Sequence, residues 1–217
     1  MRVVVMVKEP IAGRVKTRLA AQIGSHRASE LAQAFLDDTL LRLRDRAQSL
    51  WVCHAPATAS QGFRARCRRF APRCELVPQA EGGLGARLAA ALAGEGVRVA
   101  LGSDAPDLPL RCLDEARAAL EGAADLAVCP ARDGGYTLLG LGPGVDPAPL
   151  AGPIRWSHPA TWADTRAAMA PARAAELTPW DDVDELEDLR ALCARLEPGL
   201  CPATEAWARA NGYLDRP

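Results

Sequence analysis

Val97-Arg98-Val99-Ala100-Leu101-Gly102-Ser103-Asp104-Ala105-Pro106-Asp107-Leu108-Pro109 decides the fold. An apolar, β-branched run stops at a glycine, and an acidic turn stiffened by proline follows at once. That is a buried strand delivering a carboxylate to its carboxyl end. The pattern recurs on either side. Arg2–Val7 (RVVVMV) is a second such run, ended by a charged loop holding Pro10 and Gly13, and Leu50–His54 and Glu75–Pro78 are shorter ones. Downstream, Asp125–Pro130 (DLAVCP) and Tyr136–Leu141 (YTLLGL) also read as strands. Between them the period changes: Ser25–Arg46 carries Leu31, Phe35, Leu36, Leu40 and Leu43 at helical spacing. Gly62–Phe70, Leu84–Ala93 and Leu110–Leu120 read as helices too. Past a Pro- and Gly-rich loop, Gly142–Pro153, so do Pro159–Met169, Glu185–Leu196 and Thr204–Asn211. Strands alternating with helices predict an α/β fold, a three-layer α/β/α sandwich around a mainly parallel, mixed sheet. With no repeat and no low-complexity linker, one domain over residues 1–217 is expected.

Composition narrows the function. With 49% apolar and 24% charged residues the chain can bury a large core. Its 26 Lys and Arg against 27 Asp and Glu argue against a general polyanion binder, so no nucleic-acid partner is expected. The first apolar run is cut off by Lys8, Glu9 and Pro10, too short for a signal peptide or a membrane span. A cytoplasmic protein is expected. The 7 cysteines include no CxxC, and the 3 histidines (His26, His54, His158) are scattered, which speaks against a zinc site or a disulfide framework.

Ligands of open α/β sheets gather where strands end, so the segments after each strand carry the functional reading. Lys8 to Leu19 (KEPIAGRVKTRL) puts Lys8, Arg14, Lys16 and Arg18 on a loop with Gly13 that enters a helix, a good phosphate cradle though not a P-loop. Asp104, at the tip of its strand, is placed to hold a divalent cation beside phosphates, whereas Asp107 lies closer to the next helix and suits its N-cap. Asp133-Gly134-Gly135 either lets backbone approach a ligand or simply turns a hairpin. In Trp180-Asp181-Asp182-Val183-Asp184-Glu185, Asp184 or a neighbour caps a helix, or Asp182 and Asp184 complete a metal site with Asp104. Gly82-Gly83-Leu84-Gly85-Ala86-Arg87 is a glycine loop opening a helix, with Arg87 free to reach an anion, and lacks the third glycine of a dinucleotide fingerprint. No Ser-His or Cys-His pairing offers a protein nucleophile.

Taken in order, VKEPxxGxVKTRLA, GGLGAR, LGSDAPDLP, PARDGGYTLLGL, WS and DVDELEDL resemble a bacterial family of glycosyltransferase-A (GT-A) fold in the nucleotide-diphospho-sugar transferase superfamily, from about Met1 to Leu192. Members are generally labelled glycosyltransferases. A more distant similarity is to the guanylyltransferases of molybdenum-cofactor and phospholactate pathways. The resemblance implies that the first loop (Lys8, Gly13, Arg14, Lys16, Arg18) binds nucleotide phosphates, with Gly82, Gly85, Arg87, Asp133, Gly134 and Gly135 completing the nucleotide site. It implies that Asp104 binds Mg2+ or Mn2+ and that Asp182 or Asp184 completes the metal site, Asp184 being the first choice. Two departures stand out: the family's Gly-Asp-Leu-Gly is Gly82-Gly83-Leu84-Gly85 here, and its Trp-Ser-Thr is Trp156-Ser157-His158.

The implied chemistry has Lys16 and Asp104 as catalytic residues. The cation on Asp104 bridges phosphate oxygens and the loop cations stabilise the charge that builds on the leaving group. The expected partners are a nucleoside triphosphate or nucleotide-sugar and a small-molecule acceptor. Nucleotidyl and glycosyl transfer stay level at this point. The competing class is a catalytically inactive, nucleotide-binding regulatory protein, against which the retained Lys16, Asp104 and Asp184 argue.

Overall fold

A computed structural model of the protein describes residues 1–215. Seven strands form one sheet in the order β3-β2-β1-β4-β6-β5-β7: β1 Arg2–Lys8, β2 Ser49–Ala55, β3 Glu75–Pro78, β4 Arg98–Gly102, β5 Leu126–Pro130, β6 Tyr136–Leu141 and β7 Ala174–Glu176. β1 pairs in parallel with β2 and β4, and β2 with β3. β6 runs antiparallel to both β4 and β5, and β7 is parallel to β5. The sheet is therefore mixed, and β4, the strand that leads to Asp104, is its middle member.

Eight α-helices accompany it: α1 Thr17–Ile23, α2 Ser25–Leu43, α3 Gln61–Phe70, α4 Leu84–Ala91, α5 Arg111–Glu121, α6 Thr161–Ala168, α7 Leu186–Arg195 and α8 Pro202–Ala210. The alternation of side chains along β1 explains the layering. Val3, Val5 and Val7 pack with Leu36 and Leu40 of α2, Phe63 of α3 and Leu113 and Leu120 of α5. Val4 faces the other way, onto Leu88 of α4, Leu150 and Met169. A third cluster joins Leu19 of α1 and Phe35 of α2 to Leu189 of α7 and Trp207 of α8. Both faces of the sheet are covered, as the uninterrupted valines of β1 require. Among the described residues no helix is long and apolar enough to cross a membrane.

The sequence reading missed three pieces. α1 and α2 are separate helices because Gly24 takes φ +90 between them. β7 has only three residues, Ala-Ala-Glu, too short and too plain to show a period. A 3-10 turn, Ala148–Ala151, lies inside the stretch read as loop. Arg98, on β4, is also unexpected: it is 1% exposed and donates to the carbonyls of Gly142 (2.7 Å) and Val145 (3.0 Å), pinning the loop after β6.

Candidate active site

Each site residue is delivered by a strand end or by a loop tied to one. β1 stops at Lys8, and Gly13 (φ +78) turns the chain toward α1. The N-cap of α1 is Lys16, held in the left-handed region at φ 49 and ψ 43. Only Lys16 and Ser157 (φ 55) do this among the described non-glycine residues, and both line the cavities below. Such backbone strain persists where the surrounding structure enforces it, and it concentrates at functional sites.

The Lys16 side chain is 3% exposed. Its Nζ lies 3.0 Å from Asp104 Oδ1 and 3.9 Å from Asp184 Oδ1, and it also donates to the Val183 carbonyl. The Asp104 carbonyl accepts from the Val183 N–H at 3.0 Å, so residues 181–184 are stitched to the tip of the middle strand. Arg18 turns to Asp184, with Nη1 3.4 Å from Oδ2. Lys16 and Asp104 thus converge just beyond the carboxyl end of the middle strand. Asp182 stands beside them. Burial, then the negative charge of Asp184, pushes its pKa up to about 6, against the pull of Lys16.

Two cavities meet at Asp104. One, of about 300 Å³, is basic: Lys8, Arg14, Lys16 and Arg87 line it. Arg87 also holds its own loop, donating from Nε to the Gly82 carbonyl at 2.8 Å. The other, of about 330 Å³, is walled by Asp133, Asp182 and Asp184 and by the rings of Tyr136 and Trp156, with Arg18 its cation. Those rings meet edge to face at 6.4 Å. Thr137 lines it too; the residue is 9% exposed and its hydroxyl oxygen is buried without a hydrogen-bond partner.

Several expected roles change. Asp107 does not cap α5, whose N-cap is Leu110. It is 3% exposed and accepts from Arg195 Nε at 2.6 Å and Trp180 Nε1 at 3.2 Å, because a buried carboxylate takes the cation that α7 supplies. Asp184 is not the cap of α7 either. Glu185 is, in a capping box with Asp188, which leaves the Asp184 carboxylate for Lys16 and Arg18. The glycines answer to packing: a Cβ on Gly85 would meet the Leu150 carbonyl oxygen at 2.0 Å, and one on Gly134 would meet that of Pro159 at 2.0 Å. Gly82 (φ +100) turns the loop before α4. Asp133-Gly134-Gly135 is the β5–β6 turn, with Asp133 Oδ1 accepting from the Gly135 N–H at 2.8 Å, and Asp133 and Gly135 still face the acidic cavity. At the altered Trp-Ser-His, His158 Nδ1 accepts from the Ala160 N–H at 3.0 Å and shapes the approach to α6.

Sequence reasoning did not find Tyr136 and Thr137 as lining residues. Their signal was position alone: they open the strand directly after the Asp-Gly-Gly turn.

A family model described as an uncharacterized protein conserved in bacteria (DUF2064) matches residues 39–158, more than half of the chain. The chain belongs to this family. Among solved structures it is similar to a protein of Desulfovibrio desulfuricans G20 provisionally named a nucleotide-diphospho-sugar transferase, with 29% identity, a TM-score of 0.82, and 97% of this chain and 94% of that one covered. It is also similar to Rv0371c of Mycobacterium tuberculosis H37Rv in complex with manganese (20% identity, TM-score 0.52, 90% and 99% covered). A cytidylyltransferase from Leptospira borgpetersenii is a third likeness (12% identity, TM-score 0.56, 99% and 96% covered). No curated protein matches the chain significantly. The DUF2064 chain thus has the GT-A-like fold of the nucleotide-diphospho-sugar transferases.

Proposed function

We propose that this DUF2064 protein is a divalent-metal-assisted glycosyltransferase that takes its sugar from a nucleotide-diphosphate donor. The observation that carries the reading is the position of Asp104, on the shared wall of a basic cavity and an acidic, aromatic one. Phosphates belong with Lys8, Arg14 and Arg87, where several cations neutralise several negative charges. The acceptor belongs across Asp104, against Tyr136 and Trp156. Four carboxylates face that second cavity and its one cation, Arg18, is already paired with Asp184. A divalent ion on Asp104 and Asp184 would leave Asp133 and Asp182 to disfavour a phosphorylated acceptor, so the acceptor is an uncharged or positively charged hydroxyl compound.

The residues fit a divalent metal. Carboxylate oxygens are the ligands Mg2+ and Mn2+ favour. Among the described residues no three His, Cys, Asp or Glu side chains gather closely enough to hold an ion by themselves. Asp104 and Asp184 would therefore hold it jointly with the donor's phosphates, the usual arrangement for Mg2+. The ion supplies Lewis-acid stabilisation of the departing diphosphate when bound. The chain's own residues do the rest. Lys8, Arg14 and Arg87 bind and orient the phosphates, and Tyr136 and Trp156 present the acceptor from the opposite side. The bond from the sugar's anomeric carbon to the phosphate oxygen breaks, the acceptor oxygen takes the carbon and gives up its proton to a carboxylate of the acidic cavity, Asp133 or Asp182, and the nucleoside diphosphate leaves with the bonding electron pair.

Nucleotidyl transfer is the second reading. It draws on the number of cations around the first loop, which suits a triphosphate, and on the fold shared with a cytidylyltransferase. One experiment separates the two. The protein is incubated with Mn2+, a panel of nucleotide-sugars and nucleoside triphosphates, and unphosphorylated and phosphorylated sugars. Metal-dependent release of nucleoside diphosphate with an unphosphorylated sugar is expected. Pyrophosphate release with a sugar phosphate would overturn the reading in favour of nucleotidyl transfer.

A further inference from the structure

Lys16 occupies an unusual place for a phosphate-binding lysine. Its ammonium is coordinated by oxygens of Asp104, Asp184 and the Val183 carbonyl, and sits 5.5 Å from the centre of the Phe35 ring. The side chain is 3% exposed, while Asp104 and Asp184 remain 42% and 48% exposed. The lysine is thus the buried partner and the carboxylates the accessible ones. The two acids offered to a divalent cation are the same two that hold this ammonium. Lys16 also lines the basic cavity, beside Lys8 and Arg14.

We infer that Lys16 is an internal competitor for the metal site, a positioning residue that makes metal binding conditional on the nucleotide. The inference rests on the proposal that Asp104 and Asp184 hold a divalent metal. One cation fits comfortably between the two carboxylates; two repel each other at this range. While Lys16 lies 3.0 Å from Asp104 and 3.9 Å from Asp184, a divalent ion must displace it, and the residues lining the basic cavity offer it no anionic partner besides Asp104. Phosphates in that cavity supply one. Lys16 then turns from the carboxylates to the phosphates, and the carboxylates are released to the metal. Nucleotide and metal therefore bind with positive coupling, each raising the other's affinity by the same factor. The left-handed backbone at Lys16, at the very start of α1, sets the side chain in the basic cavity with its ammonium against Asp104.

The sign of the consequence is the opposite of the usual one. Removing a site residue should strengthen ligand binding. Mn2+ binding to the nucleotide-free protein is measured by electron paramagnetic resonance of the free ion, for the natural chain, Lys16→Met, Lys8→Met and the double variant Lys16→Met/Asp104→Asn. Lys16→Met is expected to bind Mn2+ at least about tenfold more tightly, the scale by which a close charge shifts a neighbouring ionic equilibrium. Lys8→Met, which removes a cation from the same loop that holds neither acid, should change it far less. Asp104→Asn should cancel the gain. Equal or weaker Mn2+ binding by Lys16→Met overturns the inference, as does an equal gain in Lys8→Met, which would mean general electrostatics. Failure of the underlying metal reading shows itself elsewhere, as nucleoside diphosphate release indifferent to Mn2+. Lys16→Gln serves in place of Lys16→Met if melting shows the latter to be misfolded.

Discussion

The two cavities that meet at Asp104 are built by different halves of one sheet, and they are built differently. The basic cavity belongs to the parallel half. Its Lys8, Arg14 and Lys16 fall within nine consecutive residues starting at the end of β1, and Arg87 joins them from α4. The acidic cavity shares Met6, Leu84 and Asp104 with it and takes Arg18, Leu88 and the end of β4 from the same half, but its remaining walls, residues 131–139, 156–161 and 182–184, lie on the side where β6 runs antiparallel to its neighbours. The first needs little more than a turn at Gly13 and long charged side chains. The second needs tertiary contacts: Gly134 against Pro159, Gly85 against Leu150, and Val183 bonded to Asp104. Local charge thus makes the basic cavity, and long-range packing makes the acidic one.

Asp104 is common to both, so its loss gives the largest effect. Asp104→Asn should lower kcat/KM for the proposed transfer by about 10²–10³-fold or more, the scale for removing one preorganised electrostatic group. The Asp104 side chain is 42% exposed but pairs with a lysine that is 3% exposed, so melting should fall by a few degrees, from the buried ammonium left with one carboxylate fewer. A variant of full activity would remove the junction between the cavities, and a variant that unfolds would make Asp104 structural.

Gly134 sharpens the contrast from the acceptor side. It has φ +84, and a Cβ there would meet the Pro159 oxygen at 2.0 Å. Gly134→Ala should therefore cost about 3 kcal/mol, combining left-handed strain with overpacking. In a chain of this size that is a fall in Tm of roughly 10 °C. Calorimetry reads it. Unchanged stability with lost substrate binding would instead make Gly134 a ligand-approach glycine like those of a phosphate loop.

This asymmetry is also why the sequence was unevenly legible. The middle strand, its Gly-Ser-Asp end and the order of elements could be read because burial writes itself into runs such as RVVVMV and VALG. The convergence of Lys16 on Asp104 followed from the rule that strand ends share one edge of an α/β sheet. What failed was any role set by a distant partner. Asp107 looked like a cap from its neighbours and is an ion-pair partner of Arg195, 88 residues away. The close approach of Gly85 to Leu150, 65 residues away, was equally out of reach. Thr137 gave no sign at all, since only the fold shows that its hydroxyl has no partner.

A smaller effect separates capping from chemistry in the late acidic segment. Glu185→Ala removes the N-cap of α7 and half of its capping box, and should cost about 1 kcal/mol while leaving Mn2+-dependent catalysis in place. Asp184→Asn should do the reverse, melting almost as the natural chain does while losing metal-dependent activity. A thermal melt and a diphosphate-release assay on the two variants check both halves. If Asp184→Asn keeps its metal dependence, the second carboxylate of the site is Asp182.

The smallest structural effect should come with a sharp functional one. Thr137, nine-tenths buried, lines the acidic cavity, its Oγ1 meeting no partner among the described residues. A buried hydroxyl without a hydrogen bond is a net burden on the folded state. Replacing it with a methyl of the same shape, Thr137→Val, should thus leave stability unchanged or raise it by a few tenths of a kcal/mol. If the hydroxyl exists for the acceptor, the same change removes one hydrogen bond to it. KM for the acceptor should then rise by about tenfold, the equivalent of roughly 1.4 kcal/mol, with KM for the nucleotide donor untouched. Thr137→Ser, which keeps the hydroxyl and drops the methyl, should keep the acceptor KM and lose a little stability. An acceptor KM that follows stability through both variants would reduce Thr137 to a packing residue. One that follows the hydroxyl alone would fix β6 as the strand that reads the acceptor, the counterpart of the β1 loop proposed to read the phosphates.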